Sequence, residues 1–156
     1  MRVLFIILPS ISSLCSLAFA LGRINLHNNC TFPIYVGTDA SVAQSVMVLP
    51  DTSYTENIHN RRPVVNWELT LSPPGLSQGA PRTLFSYQLA ADGVHYSLHD
   101  IFGDPFESYP ILVFPIYRGG PACQVIRWSD GLPSGRTPVR ICAGTASYHI
   151  SICSHI

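Results

Sequence analysis

Hydrophobic and polar residues alternate along much of this chain, with a period of two rather than 3.6. Ile24 and Leu26 alternate with Arg23, Asn25 and His27, and the same parity resumes at Phe32, Ile34 and Val36. Val65, Trp67, Leu69 and Leu71 alternate with Asn66, Glu68 and Thr70. Phe85, Tyr87 and Leu89 alternate with Ser86 and Gln88, and Val94, Tyr96 and Leu98 with His95, Ser97 and His99. Tyr148, Ile150 and Ile152 alternate with His149 and Ser151. Each run predicts a strand with one buried face. The stretch from Ile111 to Phe114 is continuously apolar and predicts a strand buried on both faces.

Turn residues separate these runs. Ala91-Asp92-Gly93 predicts a tight hairpin, because Asp-Gly tolerates the positive φ that primed turns need. Arg118-Gly119-Gly120-Pro121 and the stretch from Ser129 to Gly135 are further turns, and Ser72 to Pro81 is a longer proline-rich loop. Thirteen prolines disfavour any long helix. Short strands with frequent turns indicate an all-β sandwich or barrel.

The first twenty residues break this pattern. Arg2, an apolar run and then Ala18-Phe19-Ala20 have the order of a secretory leader. Pro9 and several serines interrupt the run, which fits a membrane span poorly. Residues 1–20 are therefore expected to be a cleaved signal peptide, and 21–156 one secreted domain. The chain has no lysine, and its nine arginines balance nine carboxylates. Such a balance gives no field for nucleic acid or an anionic membrane.

Cysteine usage fits export. Cys30, Cys123, Cys142 and Cys153 remain after the leader, and four cysteines in a secreted chain imply two disulfides with three connectivities open. A Cys30–Cys153 bond would stabilise by about 4–5 kcal/mol in the chain-entropy model, and a Cys123–Cys142 bond by about 3 kcal/mol. Parity does not choose between them, since Cys30 shares the apolar parity of its strand and Cys153 the polar parity of its own. No pair has zinc-motif spacing, so neither a metal nor any other cofactor is expected.

Few residues suggest chemistry. His95 and His99 flank Ser97 on one strand face, where a solvated polar face is the plainer reading than a metal site. Asp100, Asp104 and Glu107 form an acidic cluster. Two of them at the right separation would serve glycoside hydrolysis, although Asp and Gly there equally fit turn chemistry. No G-x-S-x-G elbow is present, because Gly131-Leu132-Pro133-Ser134-Gly135 has the wrong register. Arg61-Arg62 has the form of a dibasic processing site, but Pro63 follows it. Asn29-Cys30-Thr31 is an N-glycosylation sequon whose middle residue is a disulfide candidate.

The segment Ile24-Asn25-Leu26-His27-Asn28-Asn29-Cys30-Thr31-Phe32-Pro33-Ile34-Tyr35-Val36 resembles the opening of thaumatin-like proteins. Tyr148 to Cys153 resembles their closing strand. Thr83 to Tyr87, followed by His95 to Phe106, is most similar to the small fungal branch, the Blastomyces yeast-phase-specific or antigenic thaumatin-like secreted proteins. The resemblance implies a thaumatin-like β-sandwich and a first-to-last Cys30–Cys153 bond. It also marks where the larger relatives carry an acidic cleft associated with β-1,3-glucan. The matching positions here are Ser86, Ser97 and Phe102, so all three acids are missing.

The expectation is thus a secreted, monomeric, non-catalytic domain of the extracellular space or cell wall. It would bind a host protein or a wall glycan. The alternative is a weak β-1,3-glucanase using Asp100 with Asp104 or Glu107. Protease inhibition is a third, weaker idea.

Overall fold

The alternating runs form the interior strands of two facing sheets. The computed structural model describes residues 21–38, 45–60, 63–72, 79–135 and 137–154. The expected leader, Arg61-Arg62 and residues 73–78 of the proline-rich loop lie outside the described residues. In chain order the strands are β1 (Arg23–Asn28), β2 (Ile34–Thr38), β3 (Val46–Val48), β4 (Ser53–Asn57), β5 (Val65–Thr70), β6 (Arg82–Ala90), β7 (Gly93–Ile101), β8 (Ile111–Ile116), β9 (Ile126–Trp128), β10 (Arg140–Cys142) and β11 (Ser147–Ile152). None of the described residues is helical.

The first sheet has the order β4-β1-β11-β8-β9 and the second β10-β7-β6-β5-β2-β3. β1 and β11, the first and last strands, run parallel, with Ile24 opposite Tyr148 and Leu26 opposite Ile150. The other pairings among the described strands are antiparallel. The apolar parity of the runs faces the space between the sheets, except that Leu71 lies past the end of β5 and is exposed. Ile24, Leu26, Val113, Tyr148 and Ile150 come from one side, and Trp67, Phe85, Tyr87, Tyr96 and Leu98 from the other, all buried. Aromatic rings fill the middle, with Tyr148 packed on Tyr96 at 4.9 Å and on Phe85 at 5.8 Å. A fully buried ring of this kind is worth about 3–5 kcal/mol against truncation to alanine.

One strand departs from expectation. β8 is buried on its inner face only. Ile111 and Val113 are in the core, whereas Phe114 and Ile116 are 48% and 46% exposed. The continuous apolar run reflects two apolar faces, and among the described residues the outer one has no covering layer.

Two disulfides close the framework. Cys30 joins Cys153, 123 residues apart, and Cys123 joins Cys142, 19 residues apart. The parity conflict between Cys30 and Cys153 is resolved at a strand end. β11 stops at Ile152, and Cys153 takes a left-handed backbone with φ 57°, which turns its side chain to the Cys30 side. Asn28 fixes the other partner. Its fully buried amide donates to the carbonyls of Phe32 and Val48, both at 2.9 Å, and its Oδ1 accepts the Cys30 N–H at 2.9 Å. One side chain thereby satisfies the turn and ties it to the second sheet. The tight β6–β7 turn forms at Ala91-Asp92, but without the primed geometry expected, since neither residue has a positive φ. Gly93 follows it at φ 137°, where a Cβ would lie 2.2 Å from the Cys142 carbonyl oxygen.

Candidate functional site: a neutral groove and a carboxyl pair

β6 and β7 carry the sequence candidates on opposite faces. Ser86 and Ser97 have the outward parity and stand directly opposite each other in the ladder. Asn66 on β5 is the next residue in that row, and the Ser86 hydroxyl donates to its Oδ1 at 2.7 Å. With Gln88 and His95 beside the serines, and with Val64 and Val139 exposed at its rim, the row bounds a small cavity of about 90 Å³. The cavity lining holds no carboxylate. His95 turns to Asp92 of the hairpin turn, 2.8 Å away. Its hydrogen bond holds the Asp92 carboxyl below the usual range.

Asp100 has the inward parity, continuing Val94, Tyr96 and Leu98. It lies opposite Thr83, whose hydroxyl donates to Asp100 Oδ1. No N–H or O–H of another residue reaches Oδ2, which is cut off from solvent. Asp104 reaches back to Asp100 after a reversal at Phe102 (φ 61°) and Gly103 (φ 117°). A hydrogen bond joins two carboxyls only when one holds a proton. Burial first, and then Asp104 through this hydrogen bond and its charge, push Asp100 up; the Thr83 hydroxyl opposes them. The result is a carboxyl raised to about 7.

The cluster read from sequence is thus divided. Asp100 and Asp104 come together. Glu107 is exposed, and its backbone N–H donates to the Asp104 carbonyl at 3.3 Å. Phe102 lies at the sheet end, 64% exposed, under the Arg82 guanidinium at 5.3 Å. Arg82 also pairs with Glu68 at 2.8 Å. His99 is half-buried on the outer face, and burial holds its imidazole below the ordinary histidine value. Among the described residues no three potential metal ligands converge. Thr83 and Asn66 are the participants that sequence reading passed over. Parity alone contained the signal for Thr83, a polar residue at an inward position of β6.

A glycosidase needs two solvent-reachable carboxyls, ~5–5.5 Å apart in a retaining enzyme or ~6.5–9.5 Å in an inverting one, whereas Asp104 lies against a half-buried Asp100. With Oδ2 buried, the pair lacks the open cleft a sugar needs between the two acids. The groove on the other face has hydroxyls and amides, which hydrogen-bond but do not transfer protons near neutral pH, and one imidazole, His95, which is turned to Asp92.

Comparison with known proteins places this architecture. The crystal structure of the protein elicitor MoHrip2 from Magnaporthe oryzae is similar over 85% of this chain and 99% of its own, with 15% identity and a TM-score of 0.66. The thaumatin-like xylanase inhibitor TLXI is similar over 84% of this chain and 99% of its own, with 10% identity and a TM-score of 0.50. At these identities the likeness concerns the fold, which is all-β and thaumatin-like with two disulfides. A comparison with curated proteins finds no match. The family model described as Blastomyces yeast-phase-specific protein matches residues 11–154, and the chain belongs to that family.

Proposed function

We propose that this protein is a secreted, non-catalytic domain that acts outside the cell by binding a protein partner. The observation that carries this reading is the Ser86–Ser97 pair. Where the resemblance to larger thaumatin-like proteins puts cleft acids, two serines face each other, and the Ser86 hydroxyl bonds to Asn66. The adjoining cavity, at about 90 Å³, is far below the ~300 Å³ at which small-molecule sites begin. The groove at the matching positions is therefore no small-molecule site. Two disulfides suit an oxidising compartment. The fold is shared with proteins described as an elicitor and as a xylanase inhibitor, and that supports a protein rather than a sugar as partner.

Incubation of the pure protein with laminarin tests the proposal. The expected result is no release of reducing ends and no retention on insoluble β-glucan. Release that disappears in Asp100→Asn would overturn it in favour of the glucanase reading. Retention on glucan without release would replace the protein partner by a wall glycan.

A further inference from the structure

The outer face of the first sheet joins an ordered polar half to an exposed apolar pair. Its outward positions line up in rows across the strands. One row runs Thr55, Asn25, His149, Phe114. The next runs Ser53, His27, Ser151, Leu112, Arg127. The polar half is pre-ordered. Asn25 donates to Thr55 Oγ1 at 2.7 Å, His27 Nδ1 bonds Ser53 Oγ at 2.9 Å, and the His27 and His149 rings stack at 6.3 Å. The other half is the exposed apolar pair Phe114 and Ile116 on β8.

The charged side chains at the strand positions of this face have one sign. Arg23 on β1 and Arg127 on β9 lie on either side of the apolar pair, and no outward position of the five strands carries a carboxylate. The chain as a whole is balanced, and an acid next to these strands, Asp130, lines a cavity with Arg127. Asp130, just past β9, accepts the Leu132 amide N–H at 3.2 Å. Beside Ile116 a cavity of about 410 Å³, lined by Arg23, Asn25, Thr55 and His149, has room for an inserted side chain.

We propose that this face docks an acidic protein segment that presents an apolar side chain to Phe114 and Ile116 and carboxylates to Arg23 and Arg127. A second copy of the chain is disfavoured as occupant, because two such faces oppose like charges. The proposal rests on the reading of the protein as a protein-binding domain and names the surface and the chemistry of its partner.

The test uses the mature chain and a fluorescent peptide of alternating acidic and apolar residues (Asp-Leu-Glu-Phe-Asp-Leu-Glu). A version with lysine in place of each acid is the control. Anisotropy is expected to show saturable binding of the acidic peptide only, weakening about tenfold between low salt and ~0.3 M salt. Phe114→Ser, and Arg23→Glu combined with Arg127→Glu, should each weaken it by about tenfold or more, while Ile141→Ser on the second sheet leaves it unchanged. These are surface positions, and circular dichroism verifies that each variant folds. Equal binding of both peptides, no binding of the acidic one, or indifference to the face variants overturns the proposal. So does binding to phosphatidylserine vesicles or polygalacturonate in place of the peptide, which would reassign the face to lipid or acidic glycan. The laminarin assay is independent of these variants, so hydrolysis there would remove the non-catalytic reading and leave the docking result standing.

Discussion

Asp100 faces Thr83 across the inward side of the β6–β7 ladder and accepts its hydroxyl, while Asp104 closes on the same carboxyl from beyond the turn. This arrangement has a consequence for stability. The folded carboxyl keeps its proton to about pH 7, against an ordinary value of 3.8. Between those pH values the folded chain holds a proton that the unfolded chain has released, so stability falls as pH rises through the window. A fully desolvated site would lose about 4 kcal/mol, and solvent around this one reduces that to about 1–2 kcal/mol. Asp100→Asn preserves an acceptor for Thr83 and offers a donor to Asp104. Urea unfolding of this variant should lose the pH 4–7 slope and give greater stability than the parent at pH 8. Parallel pH profiles for the two proteins would count against a shared proton.

The disulfides should differ in weight. Replacing Cys30 and Cys153 by alanine releases a loop of 123 residues, and replacing Cys123 and Cys142 one of 19. The expected losses are about 4–5 and about 3 kcal/mol. Denaturation midpoints at one pH test the order; a larger loss for the short loop would show that the parallel β1–β11 closure holds without its bond.

Tyr96 and Tyr148 touch in the core but differ in their hydroxyls. Tyr96 donates to the Gln124 carbonyl, whereas the buried Tyr148 hydroxyl has no hydrogen-bond partner. Burial also pushes the Tyr148 phenol well above the ordinary tyrosine value. Tyr148→Phe is therefore expected to be neutral or stabilising by up to about 1 kcal/mol, and Tyr96→Phe to cost about 1–2 kcal/mol. Equal losses in chemical denaturation would mean that the Tyr148 hydroxyl contributes to the fold.

Asn29 sits at the disulfide end of the outer face of the first sheet. Its amide donates to Ser151 Oγ at 2.6 Å and to the Ile152 carbonyl at 3.3 Å, and Cys30 within the sequon is bonded to Cys153. A glycan would remove one amide hydrogen from these bonds. Protein secreted from a glycosylating yeast is expected to have the mass of the bare polypeptide. An endoglycosidase-sensitive mass increment, absent in Asn29→Gln, would refute this and place a sugar beside Ser151.

What the sequence determined by itself were the strands that have neighbours on both sides. β1, β2, β5, β6, β7, β8 and β11 are the interior strands, and each shows its apolar residues as alternation or as a run, because pairing on both edges and packing on a core constrain every second position. The four strands that alternation did not mark, β3, β4, β9 and β10, are the four sheet edges. They are short, and a neighbour on one side only leaves a weaker pattern to read. Sequence also contained the cysteine count and, through parity, the inward position of Asp100. Only the tertiary structure decided that the first and last strands lie parallel, that Cys153 turns left-handed to meet Cys30, that Asp104 folds back on Asp100, and that the outer face of β8 stays open. Those outcomes depend on which segments meet across the sandwich, and a local pattern of polar and apolar residues contains no information about its distant neighbours.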